Sequence, residues 1–290
     1  MIYFISDLHG DRNIDAFNDY VKNAKEDDLL IILGDIELHF RDTDENREFS
    51  KYFEELPCRI ALVDGNHENF DYLYSFPEEE WCGGKIHRIS DKFIHLMRGY
   101  IFEIEGHTFL TMGGCKSSQK WFDWGLRWEQ EELTEDEIIR AYRNLKEHEN
   151  KVDYVLTHKY RIEDPKANPL SQNGFINFVD NCVEYKHWYS GHWHKTKYLD
   201  EKHTVVYRTL TPLAGDVVLR TNDVAPCVAQ IKGRNPPRRI SFVLLNFALG
   251  FVWVQIISRG ALDPPNPPAS GRTSSSAKPM SCERCNFVQI

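Results

Sequence analysis

The sequence predicts an α/β protein in which β-strands form two mixed sheets and helices cover the outer faces. Short runs of continuous apolar residues alternate with amphipathic stretches through the first two thirds of the chain. Continuous apolar strands separated by helices are typical of sheets that are buried on both faces. Other stretches, such as "YIFEIEG" and "HTFLTMG", alternate apolar and polar residues. This second pattern favours a mixed β-sandwich with helices outside.

Periodicity assigns the individual elements in chain order. Continuous apolar runs predict buried strands over residues 2–6, 29–33, 59–63, 153–157 and 187–190. Alternating runs predict further strands over residues 100–106, 107–113 and 203–210. Apolar residues at helical spacing predict helices around residues 14–24, 49–56 and 138–145. The last of these helices begins with a capping box made by Thr134 and Glu137.

Composition restricts the classes of partner and the compartment. The 290 residues carry a formal net charge of -9, which argues against an extended nucleic-acid surface because such surfaces are normally basic. The seven cysteines are odd in number and scattered, and the opening stretch "MIYFISDLHG" is too short an apolar run to be expected to act as a secretory signal. We therefore expect a cytoplasmic protein with free thiols.

The chain divides by composition into a folded body and an atypical tail. We expect the body to span residues 1–215, followed by an uncertain apolar segment over 216–258 and a Pro/Ser-rich, disordered tail over 259–290. The uncharged run at 240–257 has 18 residues, the lower limit for a membrane span. Its β-branched and aromatic residues suit buried strands equally, and a tail foreign to the domain is a third interpretation. Membrane contact is expected only if this run is a true anchor.

Polar side chains follow five of the predicted strands, at the point where each strand ends. Ligands of open α/β sheets collect at the carboxyl ends of strands, so we expect these side chains to form one site. In chain order they are Asp7 and His9, then Asp35, then Asp64, Asn66 and His67, then His158, and finally His192 and His194.

The donor types indicate a metal centre with two ions. Carboxylate, imidazole and amide oxygen without thiolate favour divalent ions such as manganese, iron, zinc or cobalt over copper or an iron-sulfur cluster. We expect manganese, with iron, zinc, cobalt or nickel as alternatives. Seven of these nine residues, all except Asp64 and His67, are candidate ligands. Seven are too many for one tetrahedral ion but suit two ions that share a bridging carboxylate. Two such ions activate a bridging hydroxide and stabilise an in-line displacement at phosphorus. A histidine that is not a ligand would then protonate the leaving oxygen.

The motifs "DLH", "GD", "GNHE", a single histidine after a strand, and "GHWH" resemble, in this order, those of the calcineurin-like metallophosphoesterase superfamily. The ordered set spans residues 7–194 and is highly specific. The resemblance implies a four-layered α/β/β/α sandwich, with two mixed β-sheets flanked by helices and a dinuclear metal site at the sheet edges. It also implies that the body of the chain, residues 1–215, is the phosphoesterase domain.

The resemblance also implies a role for each site residue. The first ion would be held by Asp7, His9, Asp35 and His194, and the second by Asp35, Asn66, His158 and His192, with Asp35 bridging. His67 would protonate the leaving group, and Asp64 or Glu68 would orient it. The activity implied is metal-dependent hydrolysis of phosphate monoesters or diesters by attack of a metal-bridging hydroxide. Its substrate would be a phosphorylated small molecule, a nucleotide or a phosphoprotein.

Two alternatives to this function stay open at the level of sequence. One is a catalytically silent scaffold of the same fold, although the complete ligand set and His67 favour an enzyme. The other is a protein Ser/Thr phosphatase, against which "GDIELHF" and "DGNHE" weigh, because that subgroup has G-D-x-V-D-R-G and R-G-N-H-E. The stretch 113–133 resembles an insert near the site in some bacterial and phage members. Candidates for substrate contacts, with a solvated loop as the alternative for each, are His39, Lys116, Lys120 and Arg127.

Overall fold

The computed structural model describes residues 1–118, 128–160 and 166–214. Its strands, in chain order, are β1 Ile2–Ile5, β2 Leu29–Leu33, β3 Arg59–Val63, β4 Glu78–Trp81, β5 Gly84–Arg88, β6 Phe93–Leu96, β7 Ile101–Ile104, β8 His107–Met112, β9 Tyr154–Thr157, β10 His187–Ser190, β11 Lys197–Tyr198, β12 His203–Val205 and β13 Thr211–Pro212. Its helices are α1 Asp15–Asn23, α2 Asp44–Glu54, α3 Phe70–Leu73, α4 Glu135–Glu147 and α5 Gln172–Cys182.

The first sheet has seven strands in the order β13-β1-β2-β3-β6-β5-β4. Strands β1, β2, β3 and β6 are parallel to one another, whereas β13, β5 and β4 run antiparallel to their neighbours. Phe4 pairs with Ile31, and Ile31 with Ala61, in the central register. The carboxyl ends of β1, β2 and β3 therefore lie side by side.

The second sheet has six strands in the order β11-β12-β10-β9-β8-β7. Its four central strands are parallel and its two edge strands, β11 and β7, are antiparallel to their neighbours. The carboxyl ends of β9 and β10 are therefore adjacent, as those of β1 to β3 are in the first sheet.

The buried apolar side chains show how the layers are stacked. Phe4 and Ile31 of the first sheet share one core cluster with Phe109 and Leu156 of the second, so the two sheets pack face to face. Phe4 also stacks on Tyr189 of β10, with ring centroids 4.1 Å apart. Burying each of these large side chains contributes about 1.5–3 kcal/mol.

Helices cover the outer face of each sheet. Ile32 of β2 packs with Phe17 of α1 and Phe53 of α2, whose rings stack with centroids 4.9 Å apart. On the other side, Val155 of β9 packs with residues of α4 and α5, including Ile138. The resulting order of layers is α/β/β/α, as the resemblance implied.

The predicted strand and helix pattern is largely confirmed. All five continuous apolar runs form strands, and α4 begins with the predicted capping box of Thr134 and Glu137. The alternating run at 203–210 forms only the short strand β12, because the chain then leaves the sheet and the N–H of Arg208 bonds to the carbonyl of Ser6. Cys58 and Cys82 carry free thiols, whereas Cys182 is disulfide-bonded, so the expectation of free thiols is wrong at Cys182.

The predicted segments beyond residue 214 lie outside the described residues. These are the domain boundary at 215, the apolar run at 240–257 and the Pro/Ser-rich tail. In the three ranges that the structure describes, no helix is long and apolar enough to cross a membrane.

Candidate metal centre

Hydrogen bonds between loops bring the ends of five strands together. After β1 and β2, the N–H of Asp7 donates to the carbonyl of Gly34 at 3.0 Å, and the N–H of His9 to that of Asp35 at 2.9 Å. Across the two sheets, the N–H of His192 donates to Oδ2 of Asp7 at 3.0 Å. The polar residues at the strand ends therefore belong to one site.

Five predicted metal ligands have a left-handed backbone, with positive φ. The angles are 59° at Asp7, 49° at His9, 57° at Asp35, 73° at His192 and 48° at His194. Each such residue costs about 1–3 kcal/mol and persists only where the surrounding structure holds it. The concentration of strained residues at these strand ends is typical of a functional site.

The left-handed loops correct one detail of the sequence interpretation. The His-x-His of "GHWH" suggested two imidazoles on one face of a strand, but β10 ends at Ser190, before either histidine. His192 and His194 turn instead toward different ligand groups. Positive φ at both residues breaks the strand alternation.

Two glycines allow the loops to approach so closely. Gly34 has a φ of 88°, and a Cβ there would collide with the ring of His158 and the backbone of Gly65. A Cβ on Gly65 would collide with the carboxylate and backbone of Asp35. Neither position has room for a side chain beside the predicted bridging residue.

The first ligand group contains Asp7, His9, Asp35 and His194, which offer ligand atoms within 4.8 Å of one another. Nε2 of His9 lies 3.0 Å from Nε2 of His194 and 3.6 Å from Oδ2 of Asp35. Nε2 of His194 lies 3.4 Å from Oδ1 of Asp7. Two carboxylates and two imidazoles thus converge on a space the size of one cation.

The second ligand group contains Asp35, His158 and His192, again within 4.8 Å. Nε2 of His158 lies 3.3 Å from Oδ1 of Asp35 and 3.3 Å from Nδ1 of His192. Asp35 is the residue common to both groups, with Oδ2 toward His9 and Oδ1 toward His158. The second group contains three of the four residues that the resemblance assigned to the second ion, since Asn66 is not among them.

Asp35 is buried and ionised. Burial alone would raise its pKa, but the neighbouring imidazoles, His158 first among them, hold it well below its usual range. Its Oδ1 also accepts the N–H groups of Asn66 at 2.9 Å and His67 at 2.8 Å. These bonds fix the carboxylate between the groups and place the "GNHE" loop against it.

Hydrogen bonds on the far side of the rings select which nitrogen faces the centre. Nδ1 of His158 lies 2.7 Å from the carbonyl of Leu33, and Nδ1 of His9 lies 2.9 Å from Oε1 of Glu37. Because both partners can only accept, Nδ1 of each ring carries a proton and Nε2 is the nitrogen that faces the ligand groups. Burial alone would lower the pKa of His158, but Asp35 raises it to about 10, so a cation bound there would displace the proton from Nε2. Burial and the neighbouring His158 lower the pKa of His192 to about 4, which keeps that ring neutral, as metal ligation requires.

Asn66 provides the clearest test of whether the residues fit two cations. Its Oδ1 is buried and has no hydrogen-bond partner among the described residues, whereas its Nδ2 donates to Oγ of Ser117 at 2.9 Å. A buried amide oxygen without a donor is costly and is suited to a cation. The donor set of this centre, including the buried carboxylates of Asp7 and Asp35, fits divalent ions.

His67 lies beside the first ligand group and contacts Glu37, a residue that sequence reasoning missed. Nδ1 of His67 is 3.3 Å from Oε1 of Glu37, and its ring centroid is 5.0 Å from that of His9. Oε2 of Glu37 accepts from Nη1 of Arg41 at 2.6 Å. Burial alone would raise the pKa of Glu37, but His67 and His9 lower it to about 2, so it is an anion beside both imidazoles.

The structure places Asp64 and Glu68 differently from the sequence interpretation, in which either would orient His67. Asp64 accepts from Arg98 at 2.8 Å and lies 3.0 Å from Nε2 of His95. Oε1 of Glu68 accepts the backbone N–H of Gly65 at 3.2 Å. The carboxylates of Asp64 and Glu68 hold the loop itself, while Glu37 contacts His67.

Replacing Asp64 by asparagine should destabilise the protein. Burial alone would raise the pKa of Asp64, but Arg98 and His95 hold it well below its usual range. Breaking a buried pair that leaves a charge uncompensated costs about 3–5 kcal/mol. A carboxyl group whose pKa is lowered in the folded state stabilises the protein above its ordinary pKa of about 4. This stabilisation is lost as the pH falls further. The free energy of unfolding measured in urea should therefore be lower for Asp64→Asn than for the parent. This difference should be at its full size at neutral pH and should narrow below about pH 4.

The exposed Asp27 is a matched control, and Asp27→Asn should leave the free energy of unfolding within about 0.5 kcal/mol of the parent. If Asp64→Asn instead kept full stability and lost turnover, Asp64 would act on His67 as first interpreted.

The candidate substrate contacts have other partners or lie outside the described residues. Lys116 pairs with Glu132 at 2.9 Å, and Nε2 of His39 lies 2.8 Å from Oε1 of Glu54. Lys120 and Arg127 fall within residues 119–127, which the structure does not describe.

Arg208 is a further residue that sequence reasoning missed. Its Nε donates to the carbonyl of Asp7 and its Nη2 to that of Leu8, both at 3.0 Å, while Nη1 pairs with Asp11 at 3.1 Å. The preceding Tyr207 stacks on His194 with ring centroids 5.1 Å apart. Arg208 and Tyr207 belong to none of the sequence motifs, but they hold the loop after β1 and the imidazole of His194 in place.

Comparison with known proteins gives one family and several distant structures. The sequence model of the calcineurin-like phosphoesterase family matches residues 1–196. No curated protein matches the chain. The phosphopantetheinyl hydrolase of Mycobacterium tuberculosis is 15% identical, with 74% of this chain and 96% of that one covered and a TM-score of 0.40.

Two further solved structures are similarly distant. A putative 5'-nucleotidase of Staphylococcus aureus is 13% identical, with 72% of this chain and 48% of that one covered and a TM-score of 0.40. A protein of unknown function from Aquifex aeolicus is 22% identical, with 64% and 87% covered and a TM-score of 0.29. The family match spans well over half of the 290 residues. The chain therefore belongs to the calcineurin-like phosphoesterase family.

Proposed function

We propose that this protein hydrolyses phosphate monoesters or diesters with the help of two divalent cations. The observation that carries the proposal is the position of Asp35, whose two carboxylate oxygens face two separate groups of ligand atoms. A shared carboxylate is what a pair of neighbouring ions requires. The same arrangement would have no use in a scaffold that only binds a partner.

The ligands are proposed as two sets. Asp7, His9, Asp35 and His194 would hold the first cation, and Asp35, Asn66, His158 and His192 the second. When bound, the cations lower the pKa of water and neutralise charge on the phosphoryl oxygens. Oxygen and nitrogen donors suit divalent first-row metals, of which we propose manganese, with iron, zinc, cobalt or nickel as alternatives.

His67 would donate the proton that the leaving oxygen needs. In its protonated form the ring has two N–H groups, and the one on Nδ1 faces the carboxylate of Glu37 at 3.3 Å. The N–H on Nε2 would then be the one that donates to the leaving oxygen of the substrate. The backbone bond from His67 to Asp35 keeps this ring next to the metal centre. Proton donation of this kind is worth about 10²–10⁴-fold in rate.

Glu37 would position both His67 and the metal ligand His9. We expect Glu37→Gln, which keeps one acceptor oxygen but loses the charge, to lower metal affinity and turnover by about 10–100-fold, as outer-shell changes typically do. Metal binding and steady-state rates measured on the same preparation check this. Glu48 lies exposed on α2, and Glu48→Gln should change neither quantity. If Glu37→Gln kept the parental metal affinity and turnover, Glu37 would have no role in the mechanism.

The substrate is proposed only as a class, namely a phosphorylated small molecule, a nucleotide or a phosphoprotein. The assay that tests the proposal uses manganese-loaded protein with p-nitrophenyl phosphate, its bis ester, nucleoside monophosphates, a cyclic nucleotide and a phosphopeptide. We expect cleavage of at least one monoester or diester. No cleavage of any of them, with two ions bound, would contradict the proposal.

A further inference from the structure

The side chain of Asn66 is held from outside the metal centre by Ser117. The bond from Nδ2 to Oγ of Ser117 is 2.9 Å long, and both residues are buried. Within the part of the chain that the structure describes, the oxygen at the other end of the amide has no hydrogen-bond partner. Because the amide is planar, fixing its nitrogen also fixes the direction in which its oxygen points.

Ser117 is itself fixed by a buried carboxylate. Its N–H donates to Oε2 of Glu131 at 3.0 Å, and Oε1 of the same residue accepts the N–H of Trp128 at 3.3 Å. Glu131 is fully buried, at 0% exposure, and belongs to a 3-10 turn over Glu129–Glu131. This turn therefore holds the backbone from which the Ser117 hydroxyl projects.

One buried guanidinium ties the turn to the loop that carries Asn66. Nη2 of Arg98 donates to the carbonyl of Gln130 at 2.7 Å, and Nη1 to that of Glu132 at 3.3 Å. The same guanidinium pairs with Asp64, two residues before Asn66. Arg98 therefore connects the loop that carries the donor, Asn66, to the turn that holds the acceptor, Ser117.

We propose that Ser117 is a positioning residue that directs the amide oxygen of Asn66 toward the second cation. This inference rests on the two-cation site proposed above. Without the hydroxyl, the amide nitrogen would be buried without an acceptor, and rotation of the amide would present N–H groups to the cation. Asn66 is proposed as a ligand of the second cation alone, so the first cation should be unaffected.

The test is calorimetric titration of metal-stripped, full-length protein with manganese. We expect Ser117→Ala to weaken the Kd of the second ion by about 10–100-fold, the usual effect of losing an outer-shell partner, and to leave the first ion unchanged. Ser117→Thr keeps the hydroxyl and should restore parental binding. The neighbouring Ser118 is exposed, so Ser118→Ala is the matched control and should bind both ions as the parent does.

Two results would overturn the role of Ser117. One is parental binding of both ions by Ser117→Ala, and the other is equal weakening of both ions, which would indicate a general loss of structure. A parent protein that binds fewer than two ions would refute the proposed function, and this inference with it, before any variant is compared.

Discussion

Asp35→Asn should abolish binding of the metal pair and phosphoesterase activity together. The amide offers one oxygen where the carboxylate offers two, and both oxygens of Asp35 face ligand groups. A cation contributes several kcal/mol to the transition state, and each 1.4 kcal/mol is tenfold in rate. We therefore expect turnover to fall by about 10³-fold or more. Metal content and rate, measured on the same samples, check this.

The substitution is chosen because it should preserve the loop around the site. The remaining oxygen of asparagine can still accept the N–H groups of Asn66 and His67, which bond to Oδ1 in the parent. The exposed Asp27 supplies a matched control, and Asp27→Asn should keep both ions and full rate. Two bound ions in active Asp35→Asn protein would refute the bridging assignment.

His67→Ala should retain both cations but lose rate, and the loss should depend on the leaving group. A general acid matters most when the leaving oxygen is strongly basic. We expect a fall of about 10²–10⁴-fold in kcat with phenyl phosphate and a smaller fall with p-nitrophenyl phosphate, whose leaving group needs less help. Steady-state kinetics with the two esters, together with metal analysis, provide the measurement.

A histidine in another part of the sequence provides the control for His67→Ala. His148 is the C-cap residue of α4, away from the "GNHE" loop in sequence, and His148→Ala should leave kcat unchanged with both esters. If His67→Ala lost a cation, His67 would be a ligand, since it also groups with His9 and Glu37. Equal losses with the two esters would argue against proton donation.

Sequence reasoning could predict the central strands and the meeting of the polar strand-end residues for one physical reason, whereas the division of these residues into two ligand groups came from the family resemblance. Parallel strands place their carboxyl ends at the same edge, so polar residues after β1, β2 and β3 had to meet. The apolar runs that form these strands are buried on both faces. They can therefore be recognised in the sequence without knowing which strands they pair with. The edge strand β4 has the sequence EEEW and is partly exposed, so no apolar run marks it.

The residues that position the ligands could not be predicted in this way. Arg208 bonds to the loop after β1 from 201 residues away, and Ser117 bonds to Asn66 from 51 residues away. Neither has a motif, because any residue with the right donor or acceptor at the right place would serve. Glu37 had a weak signal, since it stands two residues after Asp35 in the same strand-end loop.

The most direct test of the two-cation account follows bound manganese and hydrolysis of bis(p-nitrophenyl) phosphate and p-nitrophenyl phosphate in a single titration of the full-length protein. The account predicts two ions per chain at saturation and a rate that rises as the second ion binds. Saturation at one ion with full activity, or two bound ions with no cleavage of either ester, would contradict it.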